Sequence, residues 1–240
     1  MLTVSSRATG QRNRREITIP DGFRYHKSEW LLPPQDSPKS PTIFLVEQPP
    51  GSVLRTHFHT QNEFQVFVAG SGWMGKSEVR PLVCHYASAY TGYGPITAGP
   101  EGLSYFTIRA VLETGAFFVP DDRDRMVRGP KGQFHVGPLS AAGNAPSRTI
   151  ELASANQDHV KIFSTRLAAG ESMETMAMGA SVAQFNFVCA GALSVDGHEL
   201  NTWECACLTQ GDPPAHLLAG PEGVDLLTML IDKRADVYGG

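Results

Sequence analysis

The sequence predicts an all-β fold arranged as two repeated halves, and three observations predict it. Its apolar residues fall in short or alternating runs, its turn formers are dense, and segments of its first half recur in its second. Of 240 residues, 24 are Gly and 17 are Pro, which interrupts the chain too often for long helices. Hydrophobic residues make up 41%, enough to build a core. Charged residues make up 18% and the formal net charge is −4. That balance argues against disorder and against a nucleic-acid binder relying on a broad positive field. No stretch approaches the roughly 18 apolar residues of a membrane span, and no charged start followed by an apolar run marks a secretion signal. Cys84, Cys189, Cys205 and Cys207 match no disulfide framework, so reduced thiols in a cytoplasm are expected.

In chain order, residues 1–20 read as an N-terminal arm, exposed and carrying Arg7, Arg12, Arg14 and Arg15. Strands are expected at 42–48 (TIFLVEQ), 63–70 (EFQVFVAG), 103–112 (LSYFTIRAVL), 183–191 (AQFNFVCAG) and 225–231 (DLLTMLI). Gly, Pro, Asn and Asp bound each run, as they bound the strands of a sandwich or barrel. A single short helical turn fits 121–129. AGPEG occurs at 98–102 and again at 219–223, and it reads as turn chemistry.

The repeat sets the organisation. IFLVEQPPG at 43–51 parallels IFSTRLAAG at 162–170, FVAG at 67–70 parallels FVCAG at 187–191, and AGPEGLSYFTI from Ala98 parallels AGPEGVDLLTM from Ala219. Three collinear blocks separated by half the chain imply an internal duplication. The expected division is a first unit at 21–126, a Gly/Pro/Ser-rich connection at 127–147 and a second unit at 148–240.

Chemistry concentrates in residues 51–70, GSVLRTHFHTQNEFQVFVAG. A strand over 53–59 places Val53, Arg55, His57 and His59 on one face, because side chains alternate with period two. After a turn at 60–62, Glu63, Gln65 and Phe67 share a face of the returning strand. Such a hairpin brings two imidazoles and a carboxylate together, a donor set for Fe(II), Mn(II), Ni(II), Cu(II) or Zn(II) with positions left open.

The spacing Gly51-x5-His57-x-His59-x3-Glu63-x6-Gly70 resembles the first signature motif of the cupin superfamily at every defined position. The resemblance implies two cupin barrels in tandem (double-stranded β-helix, jelly-roll-like), with metal ligands His57, His59 and Glu63. It implies one divalent transition metal, Fe(II) favoured, with Zn, Mn, Ni or Cu accepted. Two departures stand out. The histidine of the family's second motif falls on Gly102, and no histidine occurs in 86–134. His85, a water or a tyrosine such as Tyr105 is expected to complete the metal's surroundings. In the second half, the His-x-His pair aligns with Met176-Ala177-Met178, and the counterpart of Glu63 falls near Val182–Ala183. That half is expected to have lost the site.

Beyond the ligands, Tyr105, Tyr93 and His85 are the expected catalytic groups, since a tyrosine beside a metal can exchange a proton with an intermediate. Arg55, Gln65 and Phe67 are the expected substrate contacts, Arg55 through a carboxylate unless it pairs with a protein acid at the rim. Buried structural cysteines are expected of Cys205 and Cys207. The expected function is metal-dependent action on a small organic molecule, dioxygenase-type oxidation first. Lyase or isomerase chemistry, or a non-catalytic small-ligand cupin, are the alternatives. No nucleic acid or membrane partner is expected, and a homodimer fits the resemblance.

Overall fold

The computed structural model describes residues 2–32, 40–113, 115–137, 139, 146–155 and 160–238. It is almost entirely β-strand and divides into two compact units. The first comprises Thr9–Pro138 with Lys233–Gly240, and the second Met1–Ala8 with Leu139–Asp232. Part of the expected connection, at 138 and 140–145, lies outside the described residues. No helix of the described residues is long and apolar enough to cross a membrane.

In the first unit a nine-stranded antiparallel sheet runs Gln133–Val136, Cys84–Ala87, Glu63–Met74, Ile96–Arg109, Thr42–Gln48, Arg24–Leu31 and Arg15–Thr18, with two short strands paired at its side. Glu63–Met74 and Ile96–Arg109 form its centre, where Gln65 faces Thr107 and Phe64 faces Ile108. Both faces of Glu63–Val68 are buried. Phe67, Tyr105, Val46, Val83 and Ile96 pack together on the face that Glu63 shares. Each such apolar side chain removed from water contributes about 1.5–3 kcal/mol.

The second unit repeats this ladder. Its eight-stranded sheet centres on Ala183–Val195 against His216–Ile231, where Asn186 faces Thr228 and Phe185 faces Met229. On the neighbouring strand Ile162 also faces Met229, as Ile43 faces Ile108 in the first unit. AGPEG is not a turn, as the sequence suggested. It forms a bulge inside a long strand, between Ala98 and Leu103 in the first unit. The reason is backbone contact: a Cβ on Gly70 would lie 2.1 Å from the carbonyl oxygen of Gly102, and one on Gly191 would lie 2.1 Å from that of Gly223. Matching glycine pairs close matching bulges.

Three expectations change. Neither sheet closes into a barrel among the described residues. The strand expected over 53–59 breaks at Arg55-Thr56 into Val53–Leu54 and His57–Phe58, and the latter pairs with Phe117–Phe118 in a separate two-stranded sheet. The N-terminal segment is also not a loose arm. Thr3 and Val4 pair with Cys207 and Ala206. A helix spans Arg7–Asn13, and its Gly10 lies against the Trp30 ring. The arginines have partners: Arg7 reaches the Thr202 carbonyl, Arg14 pairs with Glu47, and Arg15 pairs with Glu29. The short helical turn expected near 121–129 is a 3-10 turn at Arg123–Arg125.

Candidate functional site

His57 and His59 flank Phe58 on the short strand and its exit, and Glu63 opens the next strand, so the turn at 60–62 folds the three together. All three are buried, with relative exposures of 2%, 9% and 1%. The His57 and His59 rings lie edge to face with centroids 5.3 Å apart. His59 Nε2 is 3.9 Å from Glu63 Oε1. His57 is fixed by reciprocal backbone hydrogen bonds with Tyr93, N to O at 3.1 Å and back at 3.0 Å.

The two imidazoles differ in how Nδ1 is held. His57 Nδ1 lies 2.8 Å from the Arg55 carbonyl, which can only accept, so that nitrogen carries the proton. His59 Nδ1 lies 3.0 Å from Glu113 Oε2, at an angle too bent for a full hydrogen bond. Glu113 is itself anchored by the Thr60 amide at 2.5 Å. With its proton on Nδ1, His57 presents a lone pair at Nε2. Such outer anchoring is how proteins set the tautomer of a ligating histidine.

At the centre of the cluster stands the Tyr93 hydroxyl. It is 3.0 Å from His57 Nε2, accepts from Gln65 Nε2 at 2.9 Å and donates to Glu63 Oε1 in a short hydrogen bond. The other oxygen, Glu63 Oε2, accepts from Arg109 Nε at 2.9 Å and Nη2 at 2.7 Å. Arg109 Nη1 also lies 3.7 Å from Glu113 Oε2. Two acceptors, His57 Nε2 and Glu63 Oε1, therefore compete for one phenol proton. The cluster holds more lone pairs than protons to fill them.

Electrostatics follow the same layout. Burial pushes the Glu63 carboxyl upward, but the pull of His59 and Arg109 and the hydrogen bonds from Tyr93 and Arg109 outweigh it and hold it at about 2. Burial holds His57 down at about 4 and His85 at about 3. Tyr93 is raised well above the phenol range by burial, then by the Glu63 charge. For Glu63 and His57 alike the folded value lies below the unfolded one, so their stabilisation is full above the unfolded value and lost as pH falls. The denaturant midpoint is expected to drop as pH is lowered from about 6.5 through about 4 towards about 2. A midpoint flat over that range contradicts it.

The cluster opens on a cavity of about 350 Å³. Its polar wall includes His57, His59, Gln65, Tyr93, Tyr105 and Arg109, and its apolar wall includes Ile17, Phe23, Phe44, Leu54 and Phe118. Lys27 also lines it, with Nζ 4.1 Å from the centre of the Phe44 ring and 3.2 Å from Glu29 Oε1.

The other expected residues distribute unevenly. Gln65 lines the cavity and orients Tyr93. Tyr105 lines it but engages Gln48, whose Nε2 lies 3.1 Å from its hydroxyl. His85 is not at the cavity: its Nδ1 faces Gln65 Oε1 at 2.8 Å and its Nε2 faces Gln133 Oε1 at 3.3 Å, so it positions Gln65. Phe67 is fully buried core, 5.2 Å from the Tyr105 ring. Arg55 points outward and pairs with Asp21 at 2.8 Å and Asp121 at 3.0 Å, the rim arrangement. Arg109 and Glu113 went unread, although an arginine inside the apolar run YFTIRAVL signals a buried cation that needs an acid.

In the second unit the strand register corrects the alignment. Gln184 faces Leu230 and Phe185 faces Met229, so Gln184, not Val182–Ala183, stands where Glu63 does, and Leu230 stands where Arg109 does. Gln184 and Asn186 are fully buried, and Gln184 Oε1 and Asn186 Nδ2 lack hydrogen-bond partners. The four cysteines are buried, and none is in a disulfide among the described residues. Burial pushes the Cys207 thiol up to about 12, which fits packing and not metal ligation.

The donor types of the first unit fit a divalent metal: two imidazoles, one carboxylate oxygen and a single phenol proton between two acceptors. The packing is tighter than an open site. Among the described residues no three His, Cys, Asp or Glu side chains stand close enough to hold an ion as placed, and the Tyr93 oxygen lies among them.

No family model matches the chain, and no curated protein matches it. Solved structures do. A deletion mutant of Bacillus subtilis oxalate decarboxylase is 12% identical with a TM-score of 0.63, over 93% of this chain and 76% of that one. A structure of the same enzyme concerned with its Mn(II) centres gives the same values. A bacterial pirin from Escherichia coli in complex with nickel(II) is 12% identical with a TM-score of 0.62, over 97% of this chain and all of that one. These neighbours are cupin-fold proteins. At such identity the likeness speaks for the fold alone, which is cupin-like.

Proposed function

We propose that the first unit carries a metal-dependent cupin centre acting on a small organic molecule, with dioxygenase-type oxidation as the leading reaction class. The second unit is then a tandem cupin that has lost the centre. The supporting observation is the convergence of His57 Nε2 and Glu63 Oε1 on one phenol proton, with His59 Nε2 3.9 Å from the same carboxylate oxygen. His57, His59 and Glu63 would hold the ion. A divalent metal there supplies Lewis acidity and, where redox-active, one-electron chemistry. The leading class favours iron(II). The neighbours' manganese and nickel support a divalent ion without selecting one.

The chain's own groups have separate tasks. The apolar wall excludes water from the polar one. In the metal-free chain Tyr93 holds a proton at its hydroxyl, between Glu63 and His57. Lys27 offers a cation to an acidic substituent at the cavity wall. Oxalate decarboxylase among the neighbours makes metal-assisted lyase chemistry the nearest alternative.

A second reading has its own observation. Arg109 already supplies a buried cation to Glu63, and the cluster can serve as a metal-free site for a small ligand. Elemental analysis of untagged protein, followed by oxygen uptake with catechols, diketones and hydroxylated aromatic acids, separates the two. About one transition metal per chain and uptake with a member of the panel are expected. Metal-free protein of undiminished stability sinks the first reading in favour of the second.

A further inference from the structure

We propose that Tyr93 is itself a ligand of the metal centre, its phenol oxygen standing in for the histidine the second motif lacks. This rests on the metal-dependent reading. Three placements carry it. First, the Tyr93 oxygen touches two of the three expected ligands, at 3.0 Å from His57 Nε2 and in a short hydrogen bond with Glu63 Oε1. Second, both the backbone and the hydroxyl of Tyr93 are held. The Tyr93 backbone is tied to His57 by two hydrogen bonds of 3.0 and 3.1 Å, and Gln65, itself held by His85, donates to the hydroxyl. The phenol oxygen is therefore placed by the same strand that places His57.

Third, the other candidates are occupied elsewhere. Both ring nitrogens of His85 face glutamine oxygens. Tyr105 engages Gln48. Gly102 has a positive φ of 82°, and a Cβ there would lie 2.8 Å from the Gln48 carbonyl oxygen. No side chain fits at that position. The resulting set is two imidazole nitrogens, one carboxylate oxygen and one phenolate oxygen, the phenol proton leaving to solvent as the ion binds and so freeing Glu63 Oε1. Arg109 then keeps Glu63 Oε2 and leaves Oε1 to the ion, the arrangement expected of an orienting partner.

The test uses the full-length chain, stripped with a chelator and titrated with cupric ion alone, followed by calorimetry and visible absorption. Wild type is expected to bind about one ion and show a tyrosine-to-copper charge-transfer band. Tyr93→Phe is expected to lose the band and weaken binding by at least the roughly 10- to 100-fold that losing an outer partner costs. Tyr105→Phe is expected to keep both. A folded Tyr93→Phe with wild-type affinity, or a copper-loaded wild type without the band, overturns the assignment and leaves the metal reading standing. A wild type that takes up neither cupric nor manganous ion overturns both. If Tyr93→Phe fails to fold, by circular dichroism, the wild-type band alone decides.

Discussion

Replacing Glu63 by Gln is expected to destabilise the protein by about 3–5 kcal/mol, the usual cost of breaking a buried ion pair by removing one partner. The variant leaves the buried Arg109 guanidinium without the carboxylate oxygen that accepts two of its hydrogen bonds. Glu113 does not substitute, because its nearer oxygen is 3.7 Å from Arg109 Nη1 and faces His59. The second unit shows what happens when both partners change. There the same ladder positions hold Gln184 and Leu230, and the sheet keeps its register. The double variant Glu63→Gln/Arg109→Leu is therefore expected to cost less than the sum of the two single ones, with a coupling of about 1–3 kcal/mol. Chemical denaturation of the four proteins measures it. Strict additivity would mean that the pair is not energetically coupled.

Metal loading is the second large effect. A ligand that binds only the folded chain, at a thousand times its dissociation constant, stabilises by about 4 kcal/mol. For a chain of this size each kcal/mol raises the melting temperature by about 2–4 °C, so saturation is expected to raise it by roughly 8–16 °C. His57→Ala removes one of two Nε2 donors, and His59→Ala removes the other. Each is expected to abolish the rise. Variants at Met176 or Met178 in the second unit are expected to leave it intact, since Gln184 stands there at the Glu63 position. Scanning calorimetry with and without manganous ion provides the measurement. An equal rise in His57→Ala would move the binding site elsewhere.

Much of this was written locally in the sequence. The His57-x-His59-x3-Glu63 hairpin is short-range: a turn and a two-residue period bring the three side chains together, so spacing alone finds them. The duplication was equally visible, because bulge-closing glycines such as Gly70 and Gly102 must recur wherever the bulge does. What spacing missed depends on long-range register. Arg109 reaches Glu63 across the sheet, from a strand 46 residues onward. Gln184 replaces Glu63 only once the ladder is known, since the loop before it differs in length between the halves. The choice among Tyr93, Tyr105 and His85 turns on backbone hydrogen bonds between Tyr93 and His57, which no periodicity reveals. Arg55 misled because a strand break at Arg55-Thr56 turns it to the rim, where Asp21 and Asp121 meet it.

The most direct test is anomalous scattering from a crystal soaked in manganous or cupric ion. The account predicts one strong peak per chain, about 2.0–2.3 Å from Nε2 of His57 and of His59 and from Oε1 of Glu63, with none in the second unit. A soaked crystal that shows no peak there, with the Tyr93 hydroxyl still bonded to Glu63, would contradict it.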